Sequence, residues 1–471
     1  MRRNIRTGLK RGLGPAIFLL ASAGVHGQDG GQFQGSVPTG AAVAEPVRLT
    51  LNGAIQRGLK ANLGVLTRNT SSDTAKAQRL HALSALMPQV TASFGETEEQ
   101  VNLATSGFNF KFPPIPGFNG IPSVVGPFHY TAAQAFVSAK IFDYNARKTY
   151  TAAKESEKAA QLSAGDARDL VVQAVANRYL LIIADASRVE SLKAQVTTAQ
   201  ALYQRASDQK TAGVAPGIDV LRAHVEMKQQ QQKLLAQQNQ FDKDKLSLGR
   251  VIGLPPGQEF TIADSTPFAP LAAMTPEDAV KTAYLQRSDY EGAKRQVRAA
   301  EETLRAARGE WYPTVDLNGF YGDEGTSLNN SHGVFTVTGA VNFNIFNGGR
   351  IRSDVEQARA ALKQRSDDLA DLGGQIDYQV RAALLDIRSA ADQVTVAQSN
   401  LELANQTLDQ AKDRFTAGVA DNIEVVQAQE SVATANDVLL GALYSHNVAK
   451  AALARSLGLA EQGIEKLIEV K

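Results

Sequence analysis

Two periodicities alternate along the chain. Val189, Leu192, Val196, Ala199, Tyr203 and Ala206 recur in steps of 3-4-3-4-3, and Val394, Ala397, Leu401, Ala404, Leu408 and Ala411 repeat those steps. Such a stripe is the apolar seam of a coiled coil, and its alternate alanines allow helices to approach closely. Residues 334–347 follow the other rule. Phe335, Val337, Gly339, Val341, Phe343 and Ile345 point one way, and Thr336, Thr338, Ala340, Asn342 and Asn344 the other. A period of two is a strand with one apolar and one polar face.

Helical patterning covers Leu51 to Met87, with a weak point at Asn62-Leu63-Gly64, and stops before Pro88, because a proline disfavours helix in the residue ahead of it. Strands are predicted at about 89–99, with Val90, Ala92 and Phe94 on one side, and at about 130–143. Residues 107–128 between them hold five prolines and five phenylalanines, which is loop composition. A proline-free helix is predicted over 147–212, followed by a turn at 211–219 and a return helix to Gly253-Leu254-Pro255-Pro256. The order then recurs: a helix to Tyr312-Pro313, strands at about 314–322 and 334–347, a helix over 350–415, a turn at 416–424 and a return helix to Leu459.

The recurrence is literal at the turns. Residues 211–223 read TAGVAPGIDVLRA and residues 416–428 read TAGVADNIEVVQA, with eight of thirteen positions identical at an offset of 205. A repeat this long makes each half one structural unit. The expected organisation is a leader at 1–27, a flexible segment at 28–48, repeats at 49–254 and 276–460 joined by a linker at 255–275, and a tail at 461–471.

Lengths restrict what the units can be. At about 1.5 Å per residue, each long helix spans roughly 100 Å, more than a globular domain requires. Strands of about ten residues suit an outer-membrane barrel, yet four cannot close one. Open edges are not tolerated in lipid, so several chains must contribute. Trp311, Tyr312, Phe142, Tyr144 and Phe346 fall at helix–strand junctions. They would form an interfacial aromatic girdle in a membrane protein, or cap the core of a soluble one.

Residues 1–27 carry five basic residues and no acid, followed by the apolar run Gly14–Ala21. This is secretory form, with small-residue cleavage sites at 21–23 or 25–27; a short membrane anchor is the alternative. Without those five bases the formal charge moves from +1 to −4, and no basic cluster points to a nucleic-acid partner. The chain has no cysteine, which removes disulfides, thiolate chemistry and an N-terminal lipid-modified cysteine.

The order helix, two strands, long helix, Gly turn and return helix, given twice behind a signal peptide, resembles the TolC-like outer-membrane efflux proteins over about residues 49–460. The paired TAGVA-x-x-I-[DE]-V turns, the paired Gly-Leu ends at 253–254 and 458–459, and the opening LTLNGAIQRGL of residues 49–59 carry the resemblance. It implies a mainly α fold with transmembrane β-structure. Three copies would form a twelve-stranded β-barrel continued by a long periplasmic α-helical barrel. It further implies a passive exit duct in the outer membrane for a tripartite efflux or type I secretion system. The duct would be a homotrimer, fed by a periplasmic adaptor and an inner-membrane pump of RND, ABC or MFS type, with no catalysis and no cofactor. By this resemblance Gly213, Val214, Gly418 and Val419 contact the adaptor, and Asp219, Glu424 and Phe415 lie at the periplasmic gate. The second turn departs from the family pattern, with Ala420 where an arginine and Phe415 where a tyrosine would be expected. The competing reading is a periplasmic coiled-coil scaffold or adaptor without a channel.

Catalytic constellations are missing from the sequence. The six histidines are scattered and form no ligand pair such as H-E-x-x-H. Gly348-Gly349-Arg350 follows a strand and opens a helix, as a phosphate loop or a simple corner would. Glu96, Glu98 and Glu99 read as a catalytic pair, a cation site or an exposed acidic rim, Gln229–Gln232 as a solvated helix face. The Phe-rich loop reads as a plug, a receptor site or a packed loop.

Overall fold

The computed structural model describes residues 33, 35–107, 122–214, 216–265, 268–271, 274–327, 329–417, 419 and 422–468. The signal peptide, most of the Phe-rich loop, Gly418 and Ala420 lie outside the described residues.

The first repeat begins with strand β1 (Val47–Leu49) and helices α1 (Leu51–Ala61) and α2 (Leu63–Ser84). Asn62 separates the helices. Its Oδ1 accepts from Gly64 N at 2.9 Å, and its Nδ2 donates to Phe33 O at 2.8 Å. The sequence's weak point is therefore a buried cap, which supplies a donor and an acceptor where the helical ladder is broken. Strands β2 (Gln89–Asn102) and β3 (Val124–Phe142) follow, then α3 (Tyr144–Thr211) and α4 (Gly217–Val251). After β4 (Phe260–Ile262), the second repeat contains α5 (Pro276–Gln286), α6 (Ser288–Gly309), β5 (Thr314–Ser327), β6 (Asn330–Asn342), α7 (Arg350–Thr416) and α8 (Asn422–Ser456). Helix α9 (Ala460–Ile468) follows it.

Helices α3 and α7 have 68 and 67 residues. The shorter helices lie end to end along them. Near the sheet α2 packs on α3, and α6 lies between α3 and α7. Toward the other end α4 packs on α3, α8 on α7, and α3 on α8. The far half of the molecule is therefore ordered α4–α3–α8–α7, with α4 and α7 at its edges. One stretch of α3 has the length and composition of a membrane span, but half of it is buried inside the protein. Val171, Val172, Val175, Tyr179 and Ile182 there form the main core with Leu51, Ile55, Leu59, Leu248 and Ile252.

Three segments expected to be loose are built into that core. Residues 28–48 include Phe33, only 9% exposed, and lead into β1, which pairs in parallel with β4 of the expected linker. In place of the expected tail, residues 461–468 continue α9, which buries Ala460, Ile464 and Ile468. Their spacing of four places them on one helix face. Each segment is short, so its apolar residues formed no pattern long enough to read.

Strands β2-β3-β5-β6 form one antiparallel sheet in that order. β6 starts four residues before the expected 334 and ends at Asn342 rather than 347. Its last partner is Thr314, directly after the helix-breaking Pro313, so Phe343, Ile345 and Phe346 lie beyond the end of the ladder.

Candidate functional site

Strand register assigns every side chain in the sheet to a face. Val90 pairs with Val137, Val137 with Gly319 and Gly319 with Val337. Directly opposed residues in an antiparallel ladder share a face. One face therefore carries Val90, Ala92 and Phe94; Ala133, Ala135 and Val137; Leu317 and Tyr321; and Phe335, Val337 and Val341. Its large side chains are exposed: Phe94 69%, Tyr321 67%, Phe335 73% and Val337 68%. The opposite face carries Thr91, Ser93, Gln134, Ser138, Lys140, Asp316, Asn318, Thr336, Thr338 and Asn342. Polar pairs cross it, Ser138 Oγ donating to Asn318 Oδ1 and Asn342 Nδ2 to Asp316 Oδ2, each at 2.8 Å. Phe136 and Phe320 stack on this otherwise polar face, ring centroids 5.5 Å apart.

The junction aromatics gather where the sheet meets the helices. Tyr144 packs edge-on against Tyr312, centroids 5.1 Å apart. Trp311, Phe142 and Phe346 are exposed, Phe346 at 88%. The Gly348-Gly349-Arg350 segment is a corner between strand and helix. Both glycines have positive φ, and Arg350 ion-pairs with Glu310 at 2.6 Å and Asp354 at 2.9 Å.

At the far end the two turns have the same bonding. Val214 N donates to Gln209 O and Val419 N to Arg414 O, both at 3.0 Å. Closing a helix this way needs a left-handed residue just before the valine. Gly213 supplies it at φ +72°, without the Cβ clash that other residues would meet. The valines stand out from the tip, 76% and 70% exposed. Asp219 lies in the first turn of α4, 3.6 Å from Arg222. Glu424 opens α8 and pairs with Arg414 of α7 at 3.2 Å. The Arg205 guanidinium of α3 sits 5.5 Å from the centre of the Phe415 ring, which joins the two hairpins near the turns through a cation–π contact. Ile218, Leu221 and Val225 of α4 and Ile423 and Val426 of α8 line an apolar groove of about 490 Å³.

The Gln229–Gln232 run is not wholly a solvated face. Gln230 is 4% exposed, and a cavity of about 520 Å³ among α3, α4, α7 and α8 is lined by it with Ser191, Gln429 and Asn436. The helical pattern alone did not distinguish this glutamine from its exposed neighbours.

A charge network with no local signature in the sequence locks the two repeats together. Arg287 forks onto Asp289, Nε to Oδ1 at 3.0 Å and Nη2 to Oδ2 at 2.6 Å. Burial raises the Asp289 carboxyl, but Arg287 outweighs it and holds the group below the usual carboxylate range. Arg455 of α8 pairs with Asp166 of α3. Burial pushes the Asp166 carboxyl up to about 6 against the pull of Arg455. Asp169 Oδ1 accepts from Glu461 N at 3.0 Å, where a carboxylate complements the exposed donors of a helix start. Arg455 and Asp166 lie 289 residues apart and Glu461 and Asp169 lie 292 apart, so no local pattern could reveal those pairs.

Among the described residues no three His, Cys, Asp or Glu side chains converge as metal ligands would. Glu96, Glu98 and Glu99 lie along the exposed outer half of β2, opposite Thr131, His129 and Phe128.

This geometry has counterparts among known proteins. A sequence model of the outer membrane efflux protein family matches residues 54–254 and 279–459, one segment in each repeat. The chain is 23% identical over 424 residues to the probable efflux pump outer membrane protein TtgC of Pseudomonas putida, covering 87% of this chain and 82% of that protein. Its fold is similar to that of the outer membrane protein VceC of Vibrio cholerae, with a TM-score of 0.73 at 18% identity, covering 87% of this chain and 96% of VceC. The Campylobacter jejuni outer membrane channel CmeC superposes with a TM-score of 0.74 at 16% identity, over 89% of both chains.

Proposed function

The chain belongs to the outer membrane efflux protein family, and from that premise we propose that three copies form a continuous exit duct from the periplasm to the outside. The protein is an outer-membrane component of efflux. The trimer and its closure are the further step. The observation that carries them is the sheet: one apolar face, one polar face and two unpaired edges, β2 and β6. In lipid each unpaired edge is costly. Joining β6 of one copy to β2 of the next in a ring of three gives twelve strands and leaves no edge. The apolar face then meets lipid, and the polar face lines water. Helices α4 and α7 are the matching edges of the α-helical part, so the same ring closes both.

Conduction needs no chemistry. Cargo enters from a periplasmic adaptor and an inner-membrane pump of RND, ABC or MFS type. The adaptor docks at the tip through Gly213, Val214, Gly418 and Val419, and the apolar groove between α4 and α8 is suited to a helical partner. Asp219, Glu424 and Phe415 surround the narrow end. The junction aromatics, exposed Trp311, Tyr312, Phe142 and Phe346 with half-buried Tyr144, anchor the wall at the membrane surface. The amphipathic sheet argues against a soluble scaffold, which would have no use for a lipid-facing side.

Fractionation with mass measurement tests this. The protein should leave the outer membrane only in detergent, with the mass of three chains, and conduct ions in a planar bilayer. A detergent-free soluble form, or a stable inserted monomer, would overturn the proposal.

A further inference from the structure

The edge helices α4 and α7 each carry a second seam, separate from the one that packs inside the chain. On α4 the exposed positions 228, 232, 235, 239, 242 and 246 advance by 4-3-4-3-4, and on α7 positions 385, 389, 392, 396, 399 and 403 advance in the same steps. Most of these residues are polar. The exceptions stand out: Leu235 and Leu246 are 68% and 73% exposed, and Leu385 and Val396 are 67% and 69% exposed, with Leu403 at the end of the α7 seam at 58%. Each pair is separated by 11 residues.

We infer that successive copies of the chain meet along one fixed register, α4 of one copy running antiparallel to α7 of the next, with Leu235 opposite Val396 and Leu246 opposite Leu385. The inference rests on the ring of copies proposed above and specifies its helical contact. In this register the positions between match as well. Asn239 faces Asp392, Asp242 faces Ser389 and Gln232 faces Ser399, while Lys228 lies over Leu403, its stem able to cover apolar surface. A slip of one heptad in either direction keeps one apolar pair, Leu235 with Leu403 or Leu246 with Tyr378, and breaks the other. It then sets Leu246 on Asp392, or Leu235 on Ser389. Register in a coiled coil is chosen by such mismatches as much as by matches.

Height along the molecule gives the same register independently. Leu235 lies 18 residues from the start of α4 and Val396 20 from the end of α7; Leu246 lies 29 and Leu385 31. The two turns are close to level, since Ile218 and Leu221 of α4 line the same groove as their repeat counterparts Ile423 and Val426 of α8. A two-residue difference is about 3 Å, well under one helical turn. The receiving surface is a groove of about 1140 Å³ beside α7, where Leu385, Val396 and Leu403 face Val438 and the small residue Gly441 of α8. The contact is head-to-tail, one α4 edge to one α7 edge, so it repeats around a ring without using either edge twice.

The chain has no native cysteine, which allows a direct test by disulfide trapping in membranes. Leu235→Cys with Val396→Cys, and Leu246→Cys with Leu385→Cys, should oxidise to dimers and trimers on non-reducing gels. Leu235→Cys with Leu385→Cys places the thiols about 11 residues, roughly 16 Å, apart, and should cross-link at least about tenfold less. All three variants are weighed in detergent. Three chains with trapping in the mismatched pair, or with none in the matched pairs, overturns the register and leaves the duct standing. A monomeric mass overturns both.

Discussion

The Tyr179 hydroxyl lies 2.9 Å from Asp264 Oδ2 and 2.8 Å from Leu49 O. Asp264 also accepts from Leu51 N at 2.7 Å, so a residue after the first repeat caps that repeat's first helix. Tyr179 itself is fully buried. Tyr179→Phe should therefore destabilise the folded chain by about 1 kcal/mol, and Asp264→Ala by about 1–3 kcal/mol, because the second change leaves the Leu51 N–H without its acceptor, while the Tyr179 hydroxyl can still donate to Leu49 O. Chemical denaturation in detergent measures both; an Asp264→Ala variant as stable as the parent would show that Asp264 does not cap α1.

The face assignment of β6 makes a paired prediction. Val337 shares the apolar face with Gly319, while Thr338 lies opposite Asn318 on the polar face. Val337→Lys should reduce stable insertion by about 2–4 kcal/mol if it lies near the bilayer midplane, and less toward an interface. Thr338→Lys, facing water, should insert like the parent. Folding assays in lipid vesicles compare the two, and equal insertion would mean that the faces are reversed or both wet.

At the tip, three copies would bring Asp219 and Glu424 around one axis. A ring of acids favours cations. Asp219→Asn combined with Glu424→Gln should lower the cation-to-anion permeability ratio in planar bilayers. Each acid also has an arginine partner, Arg222 or Arg414, and each stands where a negative charge suits the start of a helix. Unchanged selectivity with a small loss of thermal stability would assign both acids to the helix starts alone.

His446 is fully buried against Phe268, with neither ring nitrogen hydrogen-bonded. Burial and then the nearby Lys450 push its pKa down to about 4. The unfolded chain takes up this proton near pH 6.5 and the folded chain only near 4, so the residue's contribution is intact above about 6.5 and lost as pH falls toward 4. Asp166 acts in the opposite sense: its carboxyl, raised to about 6, costs stability as pH rises from about 4 through 6. His446→Gln should flatten the acid side of the stability profile, and Asp166→Asn should remove a loss on the rising side. Denaturation midpoints between pH 4 and 8 separate them; a profile untouched by His446→Gln would show that the ring is protonated in place.

The sequence by itself determined the repeated order of helices and strands, the matched turns, the break at Asn62 and the two faces of β6. Each depends on neighbours within a few residues or on a period of 2 or 3.5, and such patterns are local. Tertiary structure decided the rest. Phe33, Ile464 and Ile468 sit in segments too short to show a period, yet they join the core, Phe33 against Gly64 at the α1–α2 break and α9 against α3 and α8. Tyr179 and Asp264, or Arg455 and Asp166, meet only after the two repeats have packed. Gln230 is buried while its neighbour Gln229 is exposed, a distinction made by which helix lies opposite. The sequence spaced Leu235 from Leu246 and Leu385 from Val396, but only the folded chain put α4 and α7 at its open edges, where those side chains have nothing of their own to cover them.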